Sequence, residues 1–328
     1  MTTDERLAAL EAKMDALTAP PSDYYTSRYS GEEIDVAIAA VPGKAETAQL
    51  CNRNLLDNWY FGNPVNQRGQ TEYTGSGHTI DRWKALTDVV TLTISNDGIT
   101  LRRNGGNPWL LSEQIEPSIV TNFMGKHFTV SVLTTQGLVV LDVPSAFTSE
   151  TSVVDPTGVS VWLNTSGIVL IGTTNDSMTP IAAKLELGSQ QTLAHQDADG
   201  NWVLNEIPDY GEQLRRCQRY FYRLKSQNGN NYGVLALGYL QSNAQGHFLV
   251  NFPNTMRTVP TYSMSGALQI YSKSTGYAVT SLSHQSFNGN ALLLVANCAA
   301  NENFAVGNTA HLSAMNDANA YIDFSADL

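Results

Sequence analysis

The chain has 328 residues, with 19 Lys plus Arg against 30 Asp plus Glu and a formal net charge of −11. Charged residues make up 15 % and apolar residues 42 %, so the chain can bury sizeable cores but offers no cationic surface for a phosphate backbone, and nucleic acid is excluded as a partner. No apolar run approaches the roughly 18 residues of a membrane span, and the charged opening MTTDERLAALEAKMDAL does not read as a secretory signal.

The first element is a short helix. Thr2 and Glu5 have capping-box spacing. Leu7, Leu10, Met14 and Leu17 then recur at steps of three, four and three, an a/d seam of under two heptads. Such a helix is too short to stand alone. It needs partner chains or a neighbouring domain, the alternative being a partly helical tail. Ala19-Pro20-Pro21-Ser22 ends it, since proline lacks the amide donor. After an extended stretch, Ser30 and Glu33 open a second helix with a seam of Ile34, Ile38 and Val41, closed by Pro42-Gly43. Residues 1–47 are therefore expected to form a helical, coiled-coil stem for oligomerisation and attachment.

From Leu55 the pattern changes to period two. Strands are expected at Leu55–Phe61, Thr79–Ala85, Val89–Ser95, Ile99–Arg103, Phe128–Thr134, Leu138–Val143, Val159–Asn164, Ile168–Thr173 and Ala182–Gly188. Asn96-Asp97-Gly98 is a hairpin turn, because Asn and Gly tolerate positive φ. Many short strands with close turns point to a mainly β, jelly-roll-like sandwich over residues 48–189. Residues 190–228 form a connector and a helix, Tyr210–Leu224, with Leu214, Cys217, Phe221 and Leu224 at helical spacing. His195 to Gly200 carries acids at alternate positions like the start of a calcium loop, but the rest of such a loop is missing, so it reads as a solvated turn. Residues 229–328 are a second β domain, with strands at Gly233–Leu240, Gly246–Phe252, Thr261–Ser265, Leu268–Ser272, Tyr277–Leu282, Ala291–Cys298, Ala310–Leu312 and Tyr321–Ser325.

Signals for catalysis are missing. Cys51, Cys217 and Cys298 are too widely spaced for a zinc site built on close cysteines, and read as small buried residues. There is no GxSxG elbow, no HExxH and no GxxxxGK[ST]. The acids Asp81, Glu113 and Asp142 could serve a glycosidase, which needs two carboxylates about 5–10 Å apart, but nothing marks a pair. No enzyme activity, cofactor or metal is expected. Aromatic residues are more informative, because sugars stack on aromatic faces while Asn, Gln and Asp satisfy their hydroxyls. Trp59, Tyr60, Trp83, Trp109 and Trp162 are candidate glycan-binding residues, the alternative being that they are core aromatics.

Several segments together resemble a known family. Asn54-Leu55-Leu56-Asp57-Asn58-Trp59-Tyr60-Phe61, Asn63-Pro64-Val65-Asn66-Gln67-Arg68-Gly69 and Thr79-Ile80-Asp81-Arg82-Trp83 resemble the carbohydrate-binding-module-like sandwich of bacteriophage tail fibre proteins. Ala183–Gly188 looks like that domain's last strand, and Tyr210-Gly211-Glu212-Gln213-Leu214-Arg215-Arg216-Cys217-Gln218-Arg219-Tyr220-Phe221 is similar to the helix that follows it. Phe252–Thr261, with Met256-Arg257 and Pro260-Thr261, looks like a strand of their C-terminal domain, and Tyr29–Asp35 resembles a segment near fibre N-termini. The resemblance implies a homotrimeric virion fibre or receptor-binding protein, made in the host cytoplasm and bound to other virion proteins through its N-terminal segment. Its expected partner is a host cell-surface polysaccharide, bound without catalysis and without membrane insertion. A head-fibre or baseplate component that only packs against virion proteins is the alternative.

Overall fold

The structure, a computed structural model, describes residues 3–18, 52–86, 90–123, 125–226 and 231–328. The chain divides into Met1–Leu50 and Cys51–Leu328. In the first unit a single helix, Thr3–Thr18, is described. Its Leu7 and Leu10 are exposed. The side chains of Met14 and Leu17, and all of Ile34, Ile38 and Val41, lie outside the described residues, as does the second expected helix.

The second unit is mainly β. Its first strands are β1 (Glu72–Thr74), β2 (Gly77–His78), β3 (Lys84–Ala85), β4 (Val90–Ser95), β5 (Gly98–Arg103), β6 (Trp109–Gln114), β7 (Phe128–Thr134), β8 (Gly137–Val143), β9 (Glu150–Val154), β10 (Val159–Asn164), β11 (Ile168–Thr173), β12 (Ser177–Met178) and β13 (Pro180–Leu187). They make three antiparallel sheets, in the orders β1-β4-β5-β12, β2-β3-β6-β11-β10-β9 and β13-β7-β8. All three contribute to one apolar core that includes Leu56, Phe61, Trp83, Leu101, Phe128, Ile171 and Leu185. The β4–β5 hairpin forms as its turn signal requires, with Gly98 at φ 108°. A Cβ at Gly98 would sit 2.7 Å from the Phe61 carbonyl oxygen, so this glycine also lets the hairpin pack against the segment around Trp59.

A small hairpin follows, β14 (Ala194–Gln196) with β15 (Trp202–Leu204). Its turn is closed by the Asp197 carboxylate, which accepts from the backbone N–H groups of Asp199 and Asn201 at 3.0 and 2.8 Å. These bonds hold the Asp197 carboxyl below its ordinary value, that of Asn201 foremost. The alternating acids thus belong to a solvated turn stabilised by local side-chain bonding.

The helix after it is shorter than expected, Tyr210–Cys217. Gln218 caps it, and the chain continues as β16 (Phe221–Lys225). The remaining strands are β17 (Val234–Ser242), β18 (Gln245–Asn251), β19 (Thr261–Ser265), β20 (Leu268–Ser272), β21 (Thr275–Phe287), β22 (Ala291–Cys298), β23 (Thr309–Ala314) and β24 (Tyr321–Ser325). Six of them close a barrel in the order β17-β18-β22-β21-β20-β23, and β16-β24-β19 form a three-stranded sheet beside it. A second core, with Phe248, Ile270, Leu292, Leu312, Ile322 and Phe324, fills barrel and sheet together.

Two expected strands near the start of the unit are corrected. Leu55–Phe61 does run along β13, with the Leu55 and Phe61 N–H groups donating to Leu185 and Ile181 and the Ala183 N–H donating to Trp59, each at 2.9–3.0 Å. Asn58, at φ 51°, turns the backbone out of the ladder. In Thr79–Ala85 only Lys84–Ala85 is strand, because Arg82 at φ 73° closes a tight loop in which the Thr79 N–H donates to the Trp83 carbonyl at 2.9 Å. Both irregular stretches are held by side chains.

Candidate functional site

The irregular residues 54–83 meet the helix Tyr210–Cys217 and the C-terminal strands in a network of buried polar groups. Asn54 replaces missing ladder bonds: its amide donates to the Ala183 carbonyl at 2.9 Å and its Oδ1 accepts from the Leu56 and Leu185 N–H groups at 3.0 and 3.1 Å. The Asn58 side chain fixes its own turn, donating to the carbonyls of Val65 and Asp81 and accepting from the Val65 N–H, all within 2.9 Å. The Asn58 backbone N–H donates to Gln213 Oε1 at 2.8 Å, which couples the turn to the helix.

Asp57 lies between two arginines, its Oδ1 2.6 Å from Arg216 Nη2 and its Oδ2 3.3 Å from Arg82 Nε. Its backbone N–H donates to Glu113 Oε1 at 2.9 Å. Arg82 also donates to the Gln114 carbonyl at 2.5 Å, and its guanidinium lies 3.6 Å from the centre of the Tyr220 ring. This cation–π contact suits a planar, weakly hydrated cation. A few residues away, Asp81 accepts from Gln67 Nε2 at 2.8 Å and pairs with Arg68 at 3.1 Å. Arg68 pairs in turn with Asp327 at 2.7 Å, stacks on the Phe221 ring at 3.9 Å, and accepts through its carbonyl from Arg223. The Phe252–Thr261 segment joins through the Arg257 N–H, which donates to the Arg219 carbonyl at 2.8 Å, and through Asn254, which donates to Gln218 Oε1 at 2.8 Å.

Burial sets the electrostatics. Glu113 and Asp81 are fully enclosed. Desolvation pushes the Glu113 carboxyl up to about 8, against the pull of Arg82, and the Asp81 carboxyl up to about 7, against Arg68 and Gln67. Burial also lowers the His78 imidazole, although Asp327 lies 3.9 Å away. Glu113 and Asp81 are closed to solvent, and the network ties residues 54–83 to Glu113, the helix and the C-terminal strands. Asp142, the third acid considered from sequence, is exposed and pairs with His127 at 2.5 Å. Cys217 and Cys298 are buried free thiols, and Cys51 lies outside the described residues.

The five candidate aromatics do not form one platform. Trp83 is 0 % exposed, packs edge-on against Phe61 at 5.1 Å and donates its indole N–H to the Asn58 carbonyl at 3.1 Å. Its ring has no face for a sugar, and it is a core aromatic. Trp59 is 3 % exposed, which excludes face-on stacking, but it reaches the wall of a cleft. Tyr60 beside it is half-buried, the two rings 6.4 Å apart and T-shaped. Trp109 on β6 and Trp162 on β10 are half-buried on one sheet but fall in different cross-strand rows, opposite Gly172 and Leu170 of β11.

The cleft at Trp59 has a volume of about 390 Å³ and is lined by Arg53, Asn54, Trp59, Glu206, Pro208, Glu212, Gln213 and Arg216. Its lining mixes donors (Arg53, Arg216), acceptors (Glu206, Glu212) and amides that do both (Asn54, Gln213) beside the Trp59 indole. That chemistry suits a neutral, hydroxyl-rich ligand, whose groups both donate and accept. Sequence reasoning missed Gln213, Arg216, Glu206 and Glu212. The signal for the three on the short helix was its polar spacing, since its buried face carries Gln213 and Cys217 instead of a run of leucines; nothing local marked Glu206.

Searches of protein-family models, of curated proteins and of solved structures find no match to this chain.

Proposed function

We propose that the protein is a phage virion fibre or receptor-binding component that assembles as a homotrimer and binds host bacterial surface glycans without catalysis. On this reading residues 48–189 act as a jelly-roll-like carbohydrate-binding sandwich and the N-terminal helices as a coiled-coil stem on the particle. The observation that supports it is convergence. Segments 54–83, 210–221 and 252–261, which separately resemble fibre proteins, touch one another through Asp57–Arg216, Asn58–Gln213, Gln67–Phe221 and Arg257–Arg219. Chance likenesses scattered over the chain have no reason to share a network.

The cleft beside that network is the glycan site in this proposal, with Arg53, Glu212 and Gln213 meeting hydroxyls and Trp59 lining the wall. A single such site binds weakly, because the sugar exchanges water hydrogen bonds for protein ones. Three linked sites raise avidity by about 10²–10⁴. The test is binding of the labelled full chain to a panel of bacterial surface polysaccharides and to whole cells, alongside Arg53→Ala and Glu212→Ala. The proposal expects binding to at least one polysaccharide, a loss of about tenfold or more in the variants, and no release of reducing ends. Release of reducing ends would make it an enzyme instead.

A head-fibre or baseplate fitting is the second reading, favoured by the exposed apolar side chains of the barrel, which suit packing against protein. Labelled chain that decorates particles but no bacterium or polysaccharide would select it.

A further inference from the structure

Gln213, on the helix Tyr210–Cys217, is 6 % exposed. The two ends of its side-chain amide are used differently. The Asn58 N–H donates to Oε1 at 2.8 Å, and only the oxygen of an amide can accept an N–H, so the orientation of the group is set. Nε2 has no partner among the described residues, and it is not one of the buried polar atoms closed off without one. It therefore opens on the cleft that Gln213 lines. A nearly buried donor, fixed at one end and unused at the other, is aimed at whatever fills that cleft. The remaining polar groups are mostly engaged. Both ends of the Asn54 amide bond to the backbone. Arg216 is held by Asp57 and the Leu56 carbonyl, and Glu206 by the buried Lys184 at 3.6 Å. Arg53 and Glu212 have no ion pair among the described residues, so one cation and one anion are left over and their charges cancel.

We propose that the glycan bound in this cleft carries an acetamido sugar, whose carbonyl accepts from Gln213 Nε2. The inference rests on the glycan-binding reading and names the class of sugar. An acetamido group is a neutral unit with an acceptor, a donor and a methyl, and the cleft holds a match for each. Gln213 Nε2 meets the carbonyl oxygen. The carboxylates of Glu206 and Glu212 are acceptors for the amide N–H. Trp59 is only 3 % exposed, too little for a sugar ring to stack on, but an indole edge near Pro208 is apolar contact enough for one methyl. Charge separates this group from its relatives. A free amino sugar is an ammonium with no lone pair, so it leaves the Gln213 donor unmet. A uronate brings an anion to a cleft with two carboxylates, where Arg53, the one uncommitted cation, is already countered by Glu212. The volume of about 390 Å³ is at the small end of the about 300–1,000 Å³ of ligand pockets, which suits a short stretch of glycan.

Binding of the full chain to bacterial surface polysaccharides tests it, each polysaccharide taken native, after base-catalysed de-N-acetylation, and after re-N-acetylation with acetic anhydride. The expected result is that every polysaccharide bound contains an acetamido sugar, that de-N-acetylation weakens binding about tenfold or more, and that re-N-acetylation restores it. Binding to a polysaccharide without acetamido groups, or binding that survives de-N-acetylation, overturns the inference and leaves the fibre reading standing. A chain that binds no polysaccharide or cell overturns the fibre reading, and this inference falls with it. Gln213→Glu is the second arm. It keeps an oxygen for the Asn58 N–H and exchanges the donor in the cleft for an acceptor. It is expected to weaken binding of the native polysaccharide about tenfold or more and to narrow the difference between the native and de-N-acetylated forms. An equal loss for both forms would mean that Gln213 only couples the turn to the helix, and would overturn the inference. If the variant does not fold, the comparison of polysaccharide forms on the unmodified chain decides alone.

Discussion

Glu113 and Asp81 are acids placed where water cannot reach them, and pH reports on them. In the unfolded chain they titrate near 4.5 and 3.8, whereas in the fold they hold their protons to about 8 and about 7. Between those values the folded state binds more protons than the unfolded one, so stability is greatest at low pH and falls as pH rises through the window. His78, kept neutral by burial, acts oppositely, losing stability as pH falls below its ordinary 6.5. The decline is therefore clearest between about pH 6.5 and 8, as urea unfolding at a series of pH values will show. Glu113→Gln should flatten that slope, and an unchanged slope would mean that Glu113 is not its source. Arg82 is the cation on which Asp57 and Glu113 both lean. Arg82→Ala leaves the Gln114 carbonyl and the Glu113 carboxyl without this donor, while Asp57 keeps Arg216, and should cost about 1–3 kcal/mol, measured as a lower urea midpoint. At this scale the sequence showed the aromatics but not the polar network. Trp59, Tyr60, Trp83, Trp109 and Trp162 stand out as sugar-stacking candidates, and of these Trp83 is enclosed in the core, while Asp57, Asn58, Asp81 and Arg82 between the aromatics form the network. A polar residue inside an apolar run was the available signal, since such a residue is buried only with partners.

Short strands between turn residues were the most legible elements. Val159–Asn164, Ile168–Thr173, Thr261–Ser265, Leu268–Ser272, Ala291–Cys298 and Tyr321–Ser325 form strands with the expected limits, because each is a short run of strand-forming residues bounded by turn residues. Leu55–Phe61 and Thr79–Ala85 fit the same pattern, but the positive φ of Asn58 and Arg82 depends on distant partners that no local pattern contains. The helix was extended to Leu224 because Phe221 and Leu224 fit its period. Pairing of Phe221–Lys225 with β24, about a hundred residues away, decides otherwise. Two substitutions test how these elements are held. Asp209 caps the helix by accepting from the Glu212 N–H at 2.7 Å, so Asp209→Ala should lower stability by about 1 kcal/mol. It should also loosen the cleft wall that carries Glu212 and Gln213. Gly238 sits in the β17–β18 seam, where a Cβ would lie 1.9 Å from the His247 carbonyl oxygen. Gly238→Ala should therefore part that seam and lower the thermal midpoint by several degrees; an unchanged midpoint would show that the two strands can separate without cost.

In the whole molecule, polar and apolar surfaces are divided in an ordered way. Among the described residues, ion pairs gather where residues 54–83, the helix Tyr210–Cys217 and the C-terminal strands meet, and there Arg68, Arg82, Arg216 and Arg223 each meet a carboxylate. The barrel strands contain no Asp, Glu, Lys or Arg, and their Leu237 and Leu249 are exposed. The mainly β character was plain from the sequence, whereas the closure of the barrel depends on pairings between strands far apart in the chain, β17 with β23 above all. The proposed homotrimer would present three copies of the cleft at Trp59, which is what a weak glycan site needs for avidity. The most direct measurement is the solution mass of the unmodified full chain by light scattering across a range of concentrations. The account predicts three times the 35.7 kDa of one chain, and a mass of one chain at every concentration would contradict it.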